Sequence, residues 1–577
     1  MRRLSPEVER RRRLVTRTLP LVVAAIVAFA LGAAAGTPGN PEKEAANRFA
    51  TAWAAGNHKA MYRELNDASR AKFSLQQFVS AYREAEITAT LKRLAGGSAE
   101  DPISRDGQTV VPVPVTVSMV AFGRLEDELY LPWDEGAVAW NPSLVFPGLE
   151  KGEHLGSEIE LAPRAPILAA DGTPLAAGPA EEREHPLGDA ALDVTGVVGE
   201  PSEEDVERLA RRGFSAETPV GTSGLERAFN VRLAGKPGGS LLAVDAGGGS
   251  VRVLAQSEPE EGAPVKTTID PELQEAAVAS LAGRFGGVAV LDSRNGDVRA
   301  IAGQAFSAPQ PPGSTFKIVT TAAALQKGVV SLDDEFEYSE GINVGGRFIY
   351  NANGEICGGT FRQAFAHSCN AVFAPLGPKV GNDGLVSTAE RFGFNEPPSL
   401  YAPRYLREAG LPESTIPTEI PTEIELGVSA IGQGEVQATA LEMASVAQTV
   451  ANGGVRMPTS IVNNKKLRPN AEPVRVMSKK LADELTELMV GVVVEGTGTA
   501  GAIAEAQVAG KTGTAELGPK EGQENEENPV QIKDAWFAAF APADKPRLAV
   551  GVLLIEAEAS GGEVAAPVAA EVLSTGL

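Results

Sequence analysis

Pro311-Pro312-Gly313-Ser314-Thr315-Phe316-Lys317 is the stretch on which the reading of this chain turns. A rigid Pro-Pro-Gly approach leads to a serine, and a lysine follows three residues later. The run from Thr315 to Gln326 is rich in Ala and Leu and predicts a helix opening just after Ser314. A helix start offers free backbone N–H groups and the positive end of a dipole. That setting suits a hydroxyl that must become a nucleophile. Lys317 falls on the same helix face as Ser314. It can act as a base only when neutral, so its pKa must fall from about 10.4. Burial and a second nearby cation both push it that way.

Two further short motifs follow in order: Ser368-Cys369-Asn370 and Lys511-Thr512-Gly513. Each is common by chance when taken alone. Lys511 is the natural second cation. Ser368 and Asn370 are two apart, small and able to donate and accept, so both can point into one cleft from a loop. The competing reading makes either of them a cap for the segment Ala371 to Leu376. Val508 to Ala515 reads as a strand at a sheet edge. Gly513 there would let a substrate backbone approach, adding alongside as an extra strand. The Lys511 ammonium and the Thr512 and Thr514 hydroxyls can hold a terminal carboxylate. Residues 516–533 read as a solvated acidic hairpin loop leading to a strand at Ala535-Trp536-Phe537.

The ordered set Ser-x-x-Lys, Ser-x-Asn, Lys-Thr-Gly resembles that of penicillin-binding proteins and serine β-lactamases. The resemblance implies Ser314 as nucleophile, Lys317 as general base and Ser368 as proton relay. It implies that Asn370 donates to the substrate amide, and that the N–H groups of Ser314 and Thr514 form an oxyanion hole. Ile431-Gly432-Gln433-Gly434-Glu435 and Ala451-Asn452-Gly453-Gly454 also match stretches of class B penicillin-binding proteins.

Composition narrows the alternatives. The chain has 577 residues, 43% of them hydrophobic, and a formal charge of −23. Its length predicts three or four domains at about 150 residues each. The acidic balance argues against nucleic acid as a partner. The four histidines are His58, His154, His185 and His367. Only His367 falls in the catalytic part, where a capping or core role is expected of it. No His/Cys group has metal spacing, so no metal or cofactor is expected. The two cysteines are Cys357 and Cys369. Pairing would fix the loop carrying Ser368 and Asn370, and two buried free thiols are the alternative.

The expected organisation is a multidomain α+β chain. Residues 1–18 are a basic cytoplasmic tail with seven arginines. Residues 19–36 carry no charge and read as a transmembrane anchor, with a cleaved signal peptide ending near Ala33-Ala34-Ala35 as the alternative. Residues 37–150 form a small α+β unit, with helices near Ala46–Trp53 and Ser74–Glu84 and strand alternation in 109–122. That unit resembles the cone-shaped, nuclear-transport-factor-like N-terminal domain of methicillin-resistance-type penicillin-binding proteins, through Phe49, Trp53, Tyr62 and Phe78. Residues 155–265 resemble the family's dimerisation domain, through Arg164-Ala165-Pro166-Ile167 and Gly221-Thr222-Ser223-Gly224-Leu225-Glu226. The family has Gly where Ala165 stands and Asp-Arg where Ala169-Ala170 stand. Residues 266–577 resemble the transpeptidase domain, of serine β-lactamase-like α/β type, and open with a hairpin at Asn295-Gly296.

The resemblance as a whole implies a membrane-anchored class B penicillin-binding protein with its catalytic domain outside the cell. Its implied reaction is D,D-transpeptidation of peptidoglycan stem peptides, with β-lactams acylating Ser314. A glycosyltransferase or a division or elongation complex is the implied partner. Two rivals stand: hydrolysis of the same acyl-enzyme by a D,D-carboxypeptidase or β-lactamase, and a non-enzymatic β-lactam sensor or scaffold.

Overall fold

The computed structural model describes residues 40–519 and 531–577. The expected tail 1–18, the anchor 19–36 and the centre of the 516–533 loop lie outside the described residues. No described helix is long and apolar enough to cross a membrane. The chain divides into two compact units. The first holds the chain up to Leu161 with Ala210–Phe214 and Pro237–Pro259, and the second holds the remainder.

In the first unit, helix Pro41–Ala54 starts at Asn40, whose side chain accepts from Glu42 N at 3.1 Å. Helix Leu75–Thr88 starts with a Ser74/Gln77 capping box, which satisfies two orphan N–H groups at once. Two helices that no sequence pattern announced, His58–Arg63 and Asp67–Lys72, sit between them, each capped by an asparagine. The alternating strand Gln108–Met119 is the centre of a five-stranded sheet. Phe49, Trp53, Phe78, Tyr82, Val111, Val113 and Trp140 form the core between helices and sheet. Tyr82 resolves its buried hydroxyl by donating to Leu144 O at 3.1 Å and accepting from Trp140 Nε1 at 3.2 Å. Phe49, Trp53 and Phe78 are therefore core, and Tyr62 packs against it partly buried.

The stretch 155–265 contributes to both units. Its strands His154–Glu160, Gly238–Val244 and Ser250–Ser257 make an antiparallel sheet within the first unit. Its remaining parts belong to the second unit, where the two landmark segments meet. Glu226 is fully buried and accepts from Arg164 Nε at 2.6 Å and Arg183 Nε at 2.8 Å. Arg164 Nη1 also donates to Asn230 Oδ1 at 3.0 Å.

The second unit is built on a five-stranded antiparallel sheet. Its order is Val298–Gly303, Gly286–Asp292, Leu548–Ala557, Gln531–Ala541, Ala509–Pro519. Helices cover both faces, so the strands read as near-continuous apolar runs. Period-two alternation still sorts them. Val288, Val290, Phe537 and Val552 join Leu273, Ala277 and Val572 on one side. Ala289, Trp536, Ala538 and Leu553 join Phe316, Val319, Met443 and Leu485 on the other. The last strand of the order, Ala509–Pro519, lies at the sheet edge, as its sequence predicts. The hairpin strands extend to Pro519 and Gln531, so the connecting loop is shorter than residues 516–533.

Candidate active site

Ser314 does not open an α-helix directly. Gly313–Phe316 is a 3₁₀ turn, and the α-helix runs Lys317–Lys327. The prolines and Gly313 enforce the tighter entry: Gly313 has φ +51°, and Thr315 Oγ1 donates to Pro312 O at 2.7 Å. Residues three apart eclipse in a 3₁₀ turn, which stacks Lys317 beneath Ser314. A Cβ on Gly313 would stand 2.6 Å from Thr514 O, so the turn that carries Ser314 lies directly against the edge strand. Gly313 N donates to Gly432 O at 2.9 Å, which gives the Ile431–Glu435 stretch its task.

The three motifs converge. Lys317 Nζ donates to Ser368 O at 2.7 Å, Ser368 Oγ at 3.2 Å and Asn370 Oδ1 at 2.7 Å. Lys511 Nζ donates to the same Ser368 Oγ at 2.9 Å and to Thr512 O at 3.1 Å. One hydroxyl thus bridges the side-chain nitrogens of two lysines, both fully buried. Burial, and then the neighbouring Lys511, holds Lys317 well below the usual lysine range. Burial brings Lys511 down to about 7. The rings of Phe373 and Phe365 lie 5.2 Å and 5.6 Å from the two ammonium groups and favour their charged forms. Ser314 Oγ has no hydrogen-bond partner among the described residues, and Lys317 is satisfied by the second motif instead of by Ser314.

Ser368 reaches both lysines because its backbone is left-handed, φ 61°. That conformation is uncommon for a residue with a Cβ and is held by its surroundings. Helix Phe361–Ala366 ends just before it, and helix Asn370–Phe373 starts just after. Neither Ser368 nor Asn370 is an N-cap; Cys369 holds that position without a side-chain bond. Cys369 is bonded to Cys357, S–S 2.10 Å. His367, expected to cap or pack, takes the C-cap position of helix Phe361–Ala366, its N–H donating to Gln363 O at 2.9 Å, and its exposed side chain lines the cleft.

Thr512 and Thr514 line the cleft from the edge strand. Thr512 Oγ1 is 2.5 Å from Thr497 Oγ1. Gly513 also has a packing reason to be a glycine. A Cβ there would stand 2.6 Å from Pro312 O and 2.9 Å from Trp536 Cβ. Its missing side chain lets the strand close on the turn that carries Ser314.

The cleft has a volume of about 770 Å³ and contains Ser314, Ser368, Asn370, Thr512 and Thr514. Residues 347–352, 354 and 355, with Gln433, Thr497 and Ser560, also line it. Sequence reasoning assigned none of these to the cleft. Asn351 is the most structural of them: its Oδ1 accepts from Ala371 N, and its Nδ2 donates to Ser339 O and Glu355 O. An Asn in a Gly-rich segment reads only as a turn.

The chain matches the penicillin-binding protein transpeptidase domain family over residues 286–574. It belongs to that family. The penicillin-binding protein dimerisation domain matches residues 171–267, and the NTF2-like N-terminal transpeptidase domain matches residues 41–153. The peptidoglycan D,D-transpeptidase PbpA of Mycobacterium tuberculosis is 34% identical over 358 residues, 59% of this chain and 67% of the relative. PbpA of Mycolicibacterium smegmatis is 36% identical over 302 residues, 48% of this chain and 56% of the relative. Among solved structures, the D,D-transpeptidase domain from Eggerthella lenta aligns with a TM-score of 0.57 at 30% identity, covering 72% of this chain and 99% of that one. Penicillin-binding protein A from M. tuberculosis, solved as a ceftriaxone acyl-enzyme, aligns at 0.55 with 28% identity, covering 72% and 98%. This member of the family is therefore a multidomain α+β protein with NTF2-like, dimerisation and transpeptidase domains.

Proposed function

We propose that this chain is a peptidoglycan D,D-transpeptidase acting through an acyl-enzyme on Ser314. The observation that carries the reading is the shared Ser368 hydroxyl, which bonds both Lys317 and Lys511 beside Ser314 in one cleft.

Lys317, kept neutral by burial and by Lys511, takes the Ser314 proton as Oγ attacks the carbonyl carbon of the penultimate D-Ala. The carbonyl electrons move to oxygen, where the N–H groups of Ser314 and Thr514 receive the charge, each such donor contributing about 3–4 kcal/mol. The C–N bond then breaks. The leaving D-Ala amine collects a proton from Lys317 by way of Ser368, and an ester on Ser314 remains. An amine of a second stem peptide attacks that ester, the C–O bond breaks, and the proton returns to Ser314. Asn370 orients the donor amide, while Lys511, Thr512 and Thr514 hold its terminal carboxylate. A β-lactam enters the same first step, with its ring nitrogen in place of the leaving amine.

The uncharged run 19–36 behind a basic tail supports a single-pass anchor with the catalytic unit outside the cell. The test is release of D-Ala from an acyl-D-Ala-D-Ala peptide together with capture of the acyl group by an added amine. Transfer product from the wild type and none from Ser314→Ala is the predicted result. Free acid alone would move the reading to a carboxypeptidase.

A further inference from the structure

The hairpin Gly341–Val344/Arg347–Tyr350 is the part of the cleft wall left without a task by the acyl-transfer chemistry. It is fastened to the catalytic loop at three points. Asn370 Nδ2 donates to Tyr350 O at 2.9 Å, Ala371 N donates to Asn351 Oδ1 at 2.9 Å, and the Cys357–Cys369 bond closes the segment that follows. Whatever the hairpin presents is therefore held in register with Ser368 and Asn370.

It presents two aromatic rings and a cation. Phe348 and Tyr350 remain 42% and 61% exposed, although their rings meet edge to face at 4.7 Å. Both line the cleft, as does Arg347. Arg347 is exposed and makes no ion pair with any described residue. The other charged or titratable groups on the cleft wall are Glu355, His367, Glu516 and Lys533. An unpaired guanidinium in the catalytic cleft of a chain with net charge −23 is a recognition group for an anion. Its planar fork matches a carboxylate through two parallel hydrogen bonds, which a carboxamide cannot accept in the same way.

We propose that Arg347 is a specificity residue for the donor peptide. It pairs with a side-chain carboxylate on the residue preceding the terminal dipeptide, while Phe348 and Tyr350 cover that residue's aliphatic stem. This rests on the transpeptidase reading. A donor extended along the edge strand places its terminal dipeptide at Thr512 and Thr514. Its preceding side chain then crosses the cleft toward the loop that carries Asn370 and the hairpin.

The experiment compares two synthetic acyl-D-Ala-D-Ala peptides that differ only in a free or amidated side-chain carboxylate at that residue. D-Ala release is measured as kcat/KM at low salt for wild type, R347A, R347K and R347E. The expected result is a wild-type preference of about fivefold for the free carboxylate, within the range of an accessible ion pair. R347A brings the ratio to about one, R347K keeps its sign and R347E reverses it. A merely structural disturbance moves both peptides alike and leaves the ratio intact. Ratios in R347A and R347E equal to that of wild type, or a wild-type preference for the amide, overturn the proposal. Wild-type turnover of neither peptide would instead overturn the transpeptidase reading beneath it.

Discussion

Replacing Lys511 with methionine removes a charge from the network while keeping most of its buried volume. The two ammonium groups lie 3.2 Å and 2.9 Å from Ser368 Oγ. Their separation is then at most about 6 Å, where two unit charges repel by about 2.7 kcal/mol at an effective dielectric of about 20. That energy corresponds to about a hundredfold in the protonation equilibrium of Lys317. The sign follows from the chemistry. Lys317 works as a base when neutral, and the Lys511 charge favours its neutral form. Without that charge the Lys317 pKa rises, and less neutral amine is present at any given pH. Burial, the larger cause, stays in place, so part of the depression survives. The assay is the pH profile of Ser314 acylation by a thioester without a carboxylate, so that lost carboxylate binding does not enter. The acid limb should move to higher pH in Lys511→Met, with a loss of about a hundredfold at a fixed pH on that limb. An acid limb that stays in place would refute the claim that Lys511 tunes Lys317.

Four further outcomes follow from the same geometry. With a carboxylate-bearing β-lactam, acylation should also fall on the alkaline side, because Lys511, at about 7, loses the proton that attracts the carboxylate; the carboxylate-free thioester should lack that limb. Gly313→Ala puts a Cβ 2.6 Å from Thr514 O at a φ of +51°, so acylation should drop at least a hundredfold while the circular dichroism spectrum stays native. Glu226→Ala leaves Arg164 and Arg183 buried without their anion, and urea titration should show a loss of about 3–5 kcal/mol in the transition of the second unit. Replacing Cys357 and Cys369 with serine opens a loop of sequence separation 12 and should lower stability by about 3 kcal/mol. A melting curve unchanged by that double substitution would contradict it.

The motifs of the candidate site were legible because they are residue types at short spacings. Ser314-x-x-Lys317 is a local pattern, and Lys511-Thr512-Gly513 sits in an alternating strand. The bonds between motifs were not legible. They depend on the left-handed backbone of Ser368, which puts its hydroxyl between two lysines that lie far apart in sequence. No periodicity encodes that, and serine is not a residue from which a positive φ is read. The packing of Gly513 was not legible for a related reason: a glycine announces a close approach but not its partner, and Pro312 is one. The hairpin wall at Arg347–Tyr350 escaped notice because its fastening to Asn370 and Ala371 is tertiary. Short motifs within 155–265 do not show how its strands pair: Gly238–Val244 with His154–Glu160 belongs to the first unit.

The most direct test of the central claim is the intact mass of the protein after incubation with benzylpenicillin, followed over hours beside Ser314→Ala. The account predicts one stable covalent adduct on the wild type and none on the variant. An equal adduct on Ser314→Ala, or rapid consumption of penicillin with no adduct retained on the wild type, would contradict it.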